Sequence, residues 1–460
     1  MTIMKLSGDE IKAKVKNHSL TVAVIGLGWM GLPTACLFGE AGANVIGVDL
    51  NPEIVAKVNR GESHLIEPGL LQLLKRLLSE KRLRATNDIQ EAASQSDAII
   101  LVVPTLIDKQ RSADYSAVES SCRDLGKGIQ SGCLLIFEST CGPGVTERVV
   151  KSTLEKYSGL KAGVDFGLAY SPVRAMAGRA LGDIQRYPKA VGAIDEKSLE
   201  AAEALLSTII KGGIAKVRDI KTAEASKLFE TIYRDVNIAL ANEFAMFCEK
   251  AGIDYDEARE AANTLKEYCH LHVAGAGVGG HCLPVYPYLL ANEAERLEAR
   301  LKLVLNAREV NDEIPSHTAR LVANGLRASG RSVKGSKVVV LGISYRANVK
   351  ETRFSPSIEL ITLLKRRGAR LVVYDPKFSA TEIADMGYAT EPTLKASIEK
   401  AHCVVITVPH DEFRRIDPRD LAASVSKSAA IVDCAHILKP SLVEKTGLIY
   451  RGVGRGLWTR

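Results

Sequence analysis

No cysteine in this chain has a partner in the sequence. The nine are Cys36, Cys122, Cys133, Cys141, Cys248, Cys269, Cys282, Cys403 and Cys434; they are scattered, odd in number, and form no CxxC pair. That pattern excludes a disulfide framework and a structural zinc site, and it implies a reducing compartment, taken as the cytoplasm. No metal is expected. No apolar run approaches ~18 residues, so no membrane span is expected. Residues 1–19 are Lys-rich and polar and lack the apolar core of a signal peptide. A dense Lys/Arg run with interleaved aromatics is also missing, which argues against a nucleic-acid partner.

What is present describes an ordinary globular protein, 46% hydrophobic and 25% charged. Its 460 residues exceed one core, and about two or three domains are expected. The net charge of +7 suits a phosphate-bearing small molecule.

Residues 21–31 form an apolar β run ending in Gly26-x-Gly28-x-x-Gly31, with Trp29 and Met30 between the last two glycines. A helical stretch follows, then a second strand, Asn44 to Val48, and Asp49 at its tip. A lone GxGxxG is weak; strand, glycines, helix, strand and terminal Asp in this order are specific. The glycines allow a tight turn against a pyrophosphate at a helix N-terminus. Asp49 accepts from both ribose hydroxyls and repels a 2′-phosphate, which favours NAD over NADP. The alternative is that Asp49 caps the following helix. Residues 51–90 read as helical, broken at Glu67-Pro-Gly-Leu70. Strands at 98–104 and 133–140 end in Thr105 and in Ser139 and Thr140, at the edge where open α/β sheets bind ligands; strand-end turn chemistry is the competing reading. A helix over 143–157 and a strand from Phe166 follow. That strand leads into a loop with Arg174 and Arg179, which suit phosphate or carboxylate but also an ordinary solvated surface.

A long helix is expected over 222–252, with apolar residues spaced by three and four. Lys227, Thr231 and Arg234 share one of its faces. It is the candidate hinge between two halves and the candidate dimer seam. Next comes Gly275-Ala-Gly-Val-Gly-Gly-His-Cys-Leu-Pro-Val-Tyr-Pro-Tyr288, with four glycines in six residues ahead of His281 and Cys282. Such glycines admit a ligand close to backbone N–H groups and aim the thiol at it; a Gly/Pro turn around a buried thiol is the alternative. The second half repeats the first in outline, with strands at 337–345, 369–376, 402–409 and 429–434. Its first turn has Gly342, Ser344 and Tyr345 instead of a glycine triplet, then Arg346, Lys350 and Arg353. This turn suits a phosphate-bearing ligand other than a dinucleotide. The expected fold is α/β: two Rossmann-like, doubly wound domains joined by a long central helix. The expected segments are 1–219 for NAD, 220–325 for the helical hinge with the cysteine loop, and 326–460 for the nucleotide sugar.

These residues resemble the UDP-glucose/GDP-mannose dehydrogenases. The motifs are Val24-Ile-Gly-Leu-Gly-Trp-Met-Gly-Leu-Pro33, Val103-Pro-Thr105, Glu138-Ser-Thr140, Ser171-Pro172, Lys227, Gly279-Gly-His-Cys282, and Glu351-Thr-Arg353 followed by Ser355-Pro356. Tyr233-Arg-Asp-Val-Asn-Ile-Ala-Leu-Ala-Asn-Glu243 and Gly277 to Cys282 look most like the UDP-N-acetylhexosamine branch, typified by UDP-N-acetylmannosamine dehydrogenase. The resemblance implies NAD-dependent four-electron oxidation of the sugar C6 to a uronate, through a Cys282 thiohemiacetal and thioester. It implies that Lys227 stabilises the oxyanion and that Thr140 positions nicotinamide or water. Gly26, Gly28, Trp29, Met30, Gly31, Asp49 and Thr105 would hold NAD. The UDP-sugar would be held by Arg174, Lys227, Thr231, Arg234, Gly279, Tyr345, Arg346 and Arg353, with Arg346 where the family usually has Lys. A homodimer is implied as well.

Three positions depart from the family. Val173 stands where Glu is usual after Ser-Pro, Thr231 where Asn is usual, and Tyr286 where Asp is usual four residues past the cysteine. Two of these changes remove carboxylates that serve the hydrolytic water. The alternative is therefore an NAD-retaining epimerase or isomerase of a nucleotide sugar.

Overall fold

The first half folds into strands, of which the apolar runs at 22–25, 98–101, 134–137 and 167–170 are buried on both faces, as parallel sheets require. The strands are β1 (Thr21–Ile25), β2 (Asn44–Val48), β3 (Leu83–Thr86), β4 (Ala98–Leu101), the two-residue pair β5 (Leu106–Ile107) and β6 (Ala113–Asp114), β7 (Leu134–Phe137), β8 (Gly167–Tyr170), β9 (Lys189–Ala193) and β10 (Ile214–Lys216). The main sheet runs β10-β9-β8-β7-β4-β1-β2-β3. Its β3-β2-β1-β4-β7-β8 portion is wholly parallel and has the dinucleotide-fold order. One core lies on each face: Val22 and Val24 point into the first, Ala23 and Ile25 into the second. The computed structural model describes residues 2–455 of the chain.

The second half builds β11 (Lys337–Leu341), β12 (Arg370–Tyr374), β13 (Cys403–Ile406), β14 (Ala430–Asp433) and β15 (Ile449–Gly452). All pair in parallel, in the order β12-β11-β13-β14-β15. This sheet has no counterpart of β3, so the second domain has the shorter doubly wound order. Two compact units result. One runs to Glu230 and takes in Tyr288–Arg300; the other comprises Thr231–Pro287 and the chain from Leu301 onward.

The long helix spans Ile220–Ala251. Asp219 starts it by accepting the Thr222 N–H at 2.8 Å, and Gly252 ends it at φ +74°. In the second unit it is tied down by a buried cluster. Arg308 pairs with Asp235 at 2.6 Å, and the Asn311 side-chain amide donates to the Asp235 carbonyl and carboxylate at 3.0 Å each. The expected helix over 143–157 is shorter. Pro143 and Gly144 hold the chain in a turn, a π-type turn occupies Thr146–Lys151, and the α-helix is Ser152–Ser158. Strands β3, β9, β10 and β15 were not expected, and neither was the antiparallel β8–β9 pairing. They are short, and β3 alternates buried Leu83 and Ala85 with exposed Arg84 inside a stretch that is helical on both sides.

Candidate active site

After β1 the chain turns at Gly26, whose φ is +96° and whose N–H donates to the Val48 carbonyl at 2.8 Å. A Cβ on Gly26 would lie 2.5 Å from the Val102 carbonyl oxygen, and one on Gly31 would strike the Gly26 carbonyl. Gly28 differs: a Cβ there meets nothing within 4 Å. Two glycines are thus required by the protein's own packing, while the third leaves open space over the turn. Trp29 and Met30 lead into the helix Gly31–Ala41; there the Leu32 N–H donates to the Gly28 carbonyl at 3.2 Å and Pro33 carries no N–H, which leaves the helix end to the N–H groups before Leu32. Asp49, half-buried, accepts the Leu27 N–H at 3.0 Å on one oxygen and the Asn51 N–H at 2.9 Å on the other. It does not cap the next helix; Asn51 does, by accepting from the Glu53 N–H. A carboxylate has about four acceptor sites, so Asp49 keeps capacity for a ribose diol. Open space at Gly28, a helix N-terminus and a partly free carboxylate fit NAD.

At the same sheet edge the Thr105 hydroxyl donates to the Thr140 carbonyl at 2.7 Å, and Ser139 donates to the Val103 carbonyl at 2.7 Å. The tips of β4 and β7 are thereby locked together, with Thr140 buried. The loop beyond Thr140 is clamped by Glu224, a fully buried carboxylate on the long helix. It accepts the Gly144 N–H at 2.5 Å and the Thr146 N–H at 2.8 Å, and Cys141 points its thiol at it from 3.3 Å. Burial pushes Glu224 above the usual carboxylate range, with these donors opposing. Lys227 lies one turn further along the helix, so Glu224 fixes the lysine's helix to the loop that carries Thr140.

In the second unit the Gly-rich stretch wraps the turn after β11. Gly280, at φ +91°, donates its N–H to the Arg353 carbonyl at 2.9 Å, and a Cβ on it would lie 2.6 Å from the Tyr345 ring. A Cβ on Gly279 would lie 2.6 Å from the Phe354 carbonyl oxygen and 2.9 Å from the Tyr345 Cβ. These two glycines therefore serve the fit of backbone to aromatic ring within the protein as well as any ligand. Cys282 follows, exposed, and its carbonyl accepts the Val285 and Tyr286 N–H groups at 3.0 and 2.8 Å, which starts the next helix. Beside it, His281 Nε2 lies 3.3 Å from Glu351 Oε2. Burial raises the Tyr345 phenol, Arg346 opposes, and the nearby Cys282 and Glu351 add to the rise.

The remaining expected residues are distributed as follows. Arg174 is in the first unit, paired with Glu230 at 2.8 Å and donating to the Pro188 carbonyl at 2.8 Å. Arg179 is held by Asp183 at 2.9 Å. On the long helix Thr231 is buried and Arg234 exposed. Arg346 is half-buried and Arg353 exposed. Lys350 is engaged by Glu382 at 2.5 Å. The first unit thus gathers the Gly26–Gly31 turn, Asp49, Thr105, Thr140, Arg174 and Lys227; the second gathers Thr231, Arg234, Gly279, Cys282, Tyr345, Arg346 and Arg353.

Several participants were given no role by the sequence, Glu138 among them although it stood in the Glu138-Ser-Thr140 motif. Glu224 was one of many helical acids. Glu351 was noticed only as part of a motif. His64 is half-buried beside Asp49, and burial pushes its imidazole down against the pull of that carboxylate. Glu138 and Lys189 form a buried ion pair behind Ser139, and burial leaves Glu138 raised despite Lys189.

Three segments match the UDP-glucose/GDP-mannose dehydrogenase family: 20–210 its NAD binding domain, 221–313 its central domain, and 339–440 its UDP binding domain. The UDP-N-acetyl-D-mannosamine dehydrogenase of Pyrococcus horikoshii is 35% identical over 437 residues, 95% of this chain and 100% of the relative. Its solved structure superposes with a TM-score of 0.87 at 34% identity, covering 95% of this chain and 100% of that one. An NDP-N-acetyl-D-galactosaminuronic acid dehydrogenase of Ralstonia nicotianae is 32% identical, covering 88% of this chain and 94% of its own. A UDP-glucose dehydrogenase structure from Pyrobaculum islandicum reaches a TM-score of 0.84 at 28% identity, covering 95% and 98%. The chain belongs to the UDP-glucose/GDP-mannose dehydrogenase family, as an NAD-dependent nucleotide-sugar dehydrogenase.

Proposed function

We propose that the chain oxidises C6 of a UDP-N-acetylhexosamine, UDP-N-acetylmannosamine first among them, to the uronate through covalent intermediates on Cys282. The observation that carries this reading is the exposure of Cys282. Seven of the nine cysteines are buried and Cys269 is half-buried, which leaves Cys282 as the one exposed thiol. Burial raises the thiols of Cys36, Cys122, Cys133, Cys403 and Cys434, Cys36 to about 12, which makes them inert packing groups. An exposed thiol on a shaped loop is placed to attack an aldehyde.

NAD bound over the Gly26–Gly31 turn supplies the hydride acceptor, used twice per sugar. Cys282 adds to the C6 aldehyde to give a thiohemiacetal, and the second oxidation leaves a thioester that water cleaves. Lys227 offers its ammonium to the oxyanion, and Glu224 fixes the orientation of its helix. Thr140 orients the cofactor side, while Arg346, Arg353 and Tyr345 hold the UDP. Similarity to the Pyrococcus relative supports the N-acetylmannosamine substrate. The replacements at Val173, Thr231 and Tyr286 favour the epimerase alternative, and the exposed thiol opposes it, since re-reduction of one carbon has no use for a nucleophile.

A homodimer built on the long helix is part of the proposal. Phe229, Tyr233, Phe244 and Phe247 on that helix are all exposed, and their spacing places them on one stripe. The cytoplasm is the proposed compartment. The test of the substrate is NADH formation from UDP-N-acetylmannosamine, UDP-N-acetylglucosamine, UDP-N-acetylgalactosamine and UDP-glucose. The expected result is a kcat/KM at least about tenfold higher for an N-acetylhexosamine than for UDP-glucose, about 1.4 kcal/mol of discrimination; preference for UDP-glucose would overturn the branch assignment.

A further inference from the structure

Thioester hydrolysis needs a base, and the base must come from this chain. Position 173 holds Val and position 286 holds Tyr, so neither provides a carboxylate. In the second unit, two titratable groups sit beside the nucleophile. His281 directly precedes Cys282, and its Nε2 lies 3.3 Å from Glu351 Oε2. Glu351 is itself fixed: its other carboxylate oxygen accepts the Arg353 N–H at 3.0 Å, and its carbonyl accepts the Tyr345 N–H at 2.9 Å. The His281 side chain is 41% exposed, open to water, while Glu351 is 27% exposed. Near this pair, Tyr345 lies close to Arg346, Cys282 and Glu351, and Arg353 meets Glu351 through its backbone N–H. Phenol and guanidinium are protonated at neutral pH, so neither competes as a base.

We propose that His281, oriented by Glu351, is the general base that hydrolyses the Cys282 thioester. This rests on the dehydrogenase mechanism proposed above and deepens it. A carboxylate accepts only, so the Nε2–H points at Glu351 and Nδ1 carries the lone pair. As a water oxygen bonds to the thioester carbonyl carbon, its proton passes to His281 Nδ1. The tetrahedral adduct collapses, the C–S bond breaks, and its electron pair stays on sulfur. The imidazolium returns the proton to that sulfur, and the uronic acid ionises by releasing one proton to solvent. No electron changes hands in this step.

The experiment compares wild type, His281→Ala and Glu351→Gln with UDP-N-acetylmannosamine and NAD. It follows pre-steady-state NADH, uronate and the intact protein mass. His281→Ala is expected to keep a burst of up to two NADH per site and then fall about 10²–10³-fold in kcat. It should accumulate an acyl adduct on Cys282 and be rescued by added imidazole. Glu351→Gln loses the carboxylate that orients the imidazole, so kcat should fall with KM within about twofold and the same Cys282 acyl adduct should build up to a smaller extent. A His281→Ala enzyme that turns over within twofold of wild type, or one that loses the burst itself, overturns the assignment while leaving the dehydrogenase standing. A wild type that forms no NADH overturns the underlying mechanism and this step with it.

Discussion

The two α/β domains place a carboxylate at the tip of the same strand and use it in opposite ways. Asp49 after β2 meets two backbone donors and stays half-exposed. Asp375 after β12 is fully buried and accepts from the Ile343 and Ser344 N–H groups, the Ser344 hydroxyl, the Lys377 N–H and His410 Nε2. His410 is set as that donor because its Nδ1 accepts the Asn348 N–H at 3.0 Å. Ser344 and His410 thus occupy the carboxylate that a ribose would need. The fold supplies the crevice in both halves; whether it reads a dinucleotide depends on how many acceptor sites the protein leaves open.

Mutations can break this contrast. The largest effect falls on the chemistry of the second unit. Cys282→Ser should lower uronate formation at least about 10³-fold while NAD binding measured by calorimetry stays within twofold. Unchanged uronate output would remove the thioester. Next come the paired carboxylates. Asp49→Asn should weaken NAD about tenfold, near 1.4 kcal/mol, with little change in melting temperature. Asp375→Asn should do the reverse, leaving NAD affinity alone and costing about 2–4 kcal/mol of stability in urea. Burial pushes Asp375 up, but His410 and the N–H donors more than offset it, so its carboxyl is held below the usual range. A depressed carboxylate contributes stability above its unfolded pKa of about 3.9 and loses it as pH falls through the folded value. The acid limb of unfolding should therefore flatten in Asp375→Asn.

A finer contrast lies within the first turn. Gly28→Ala adds a methyl to open space, so folding should be untouched while NAD weakens several-fold. Gly31→Ala drives its methyl into the Gly26 carbonyl and should lower the melting temperature as well. The smallest effect is expected at Lys350, whose ammonium is engaged by Glu382 on the surface. Lys350→Ala should change the KM for the UDP-sugar by less than about twofold and stability by under about 1 kcal/mol.

The first turn was legible because glycine, helix start and terminal Asp obey strict local rules. The long helix was legible from its period, and its observed span, Ile220–Ala251, lies within two residues of the expected one. The failures have a common cause. Strand β3 is short and lies between helices, and β15 comes late, after the expected pattern had run out. The π-type turn at Thr146–Lys151 depends on Glu224, 80 residues from Gly144. The pairing of His281 with Glu351 spans 70 residues, so no local pattern records it. Local chemistry was readable; the long-range hydrogen bonds that orient it were not.

The central claim is a four-electron oxidation at Cys282, and the NADH-to-sugar ratio tests it most directly. Limiting UDP-N-acetylmannosamine with excess NAD should yield two NADH for each uronate formed. A ratio of zero, with an epimerised nucleotide sugar as product, would contradict the account.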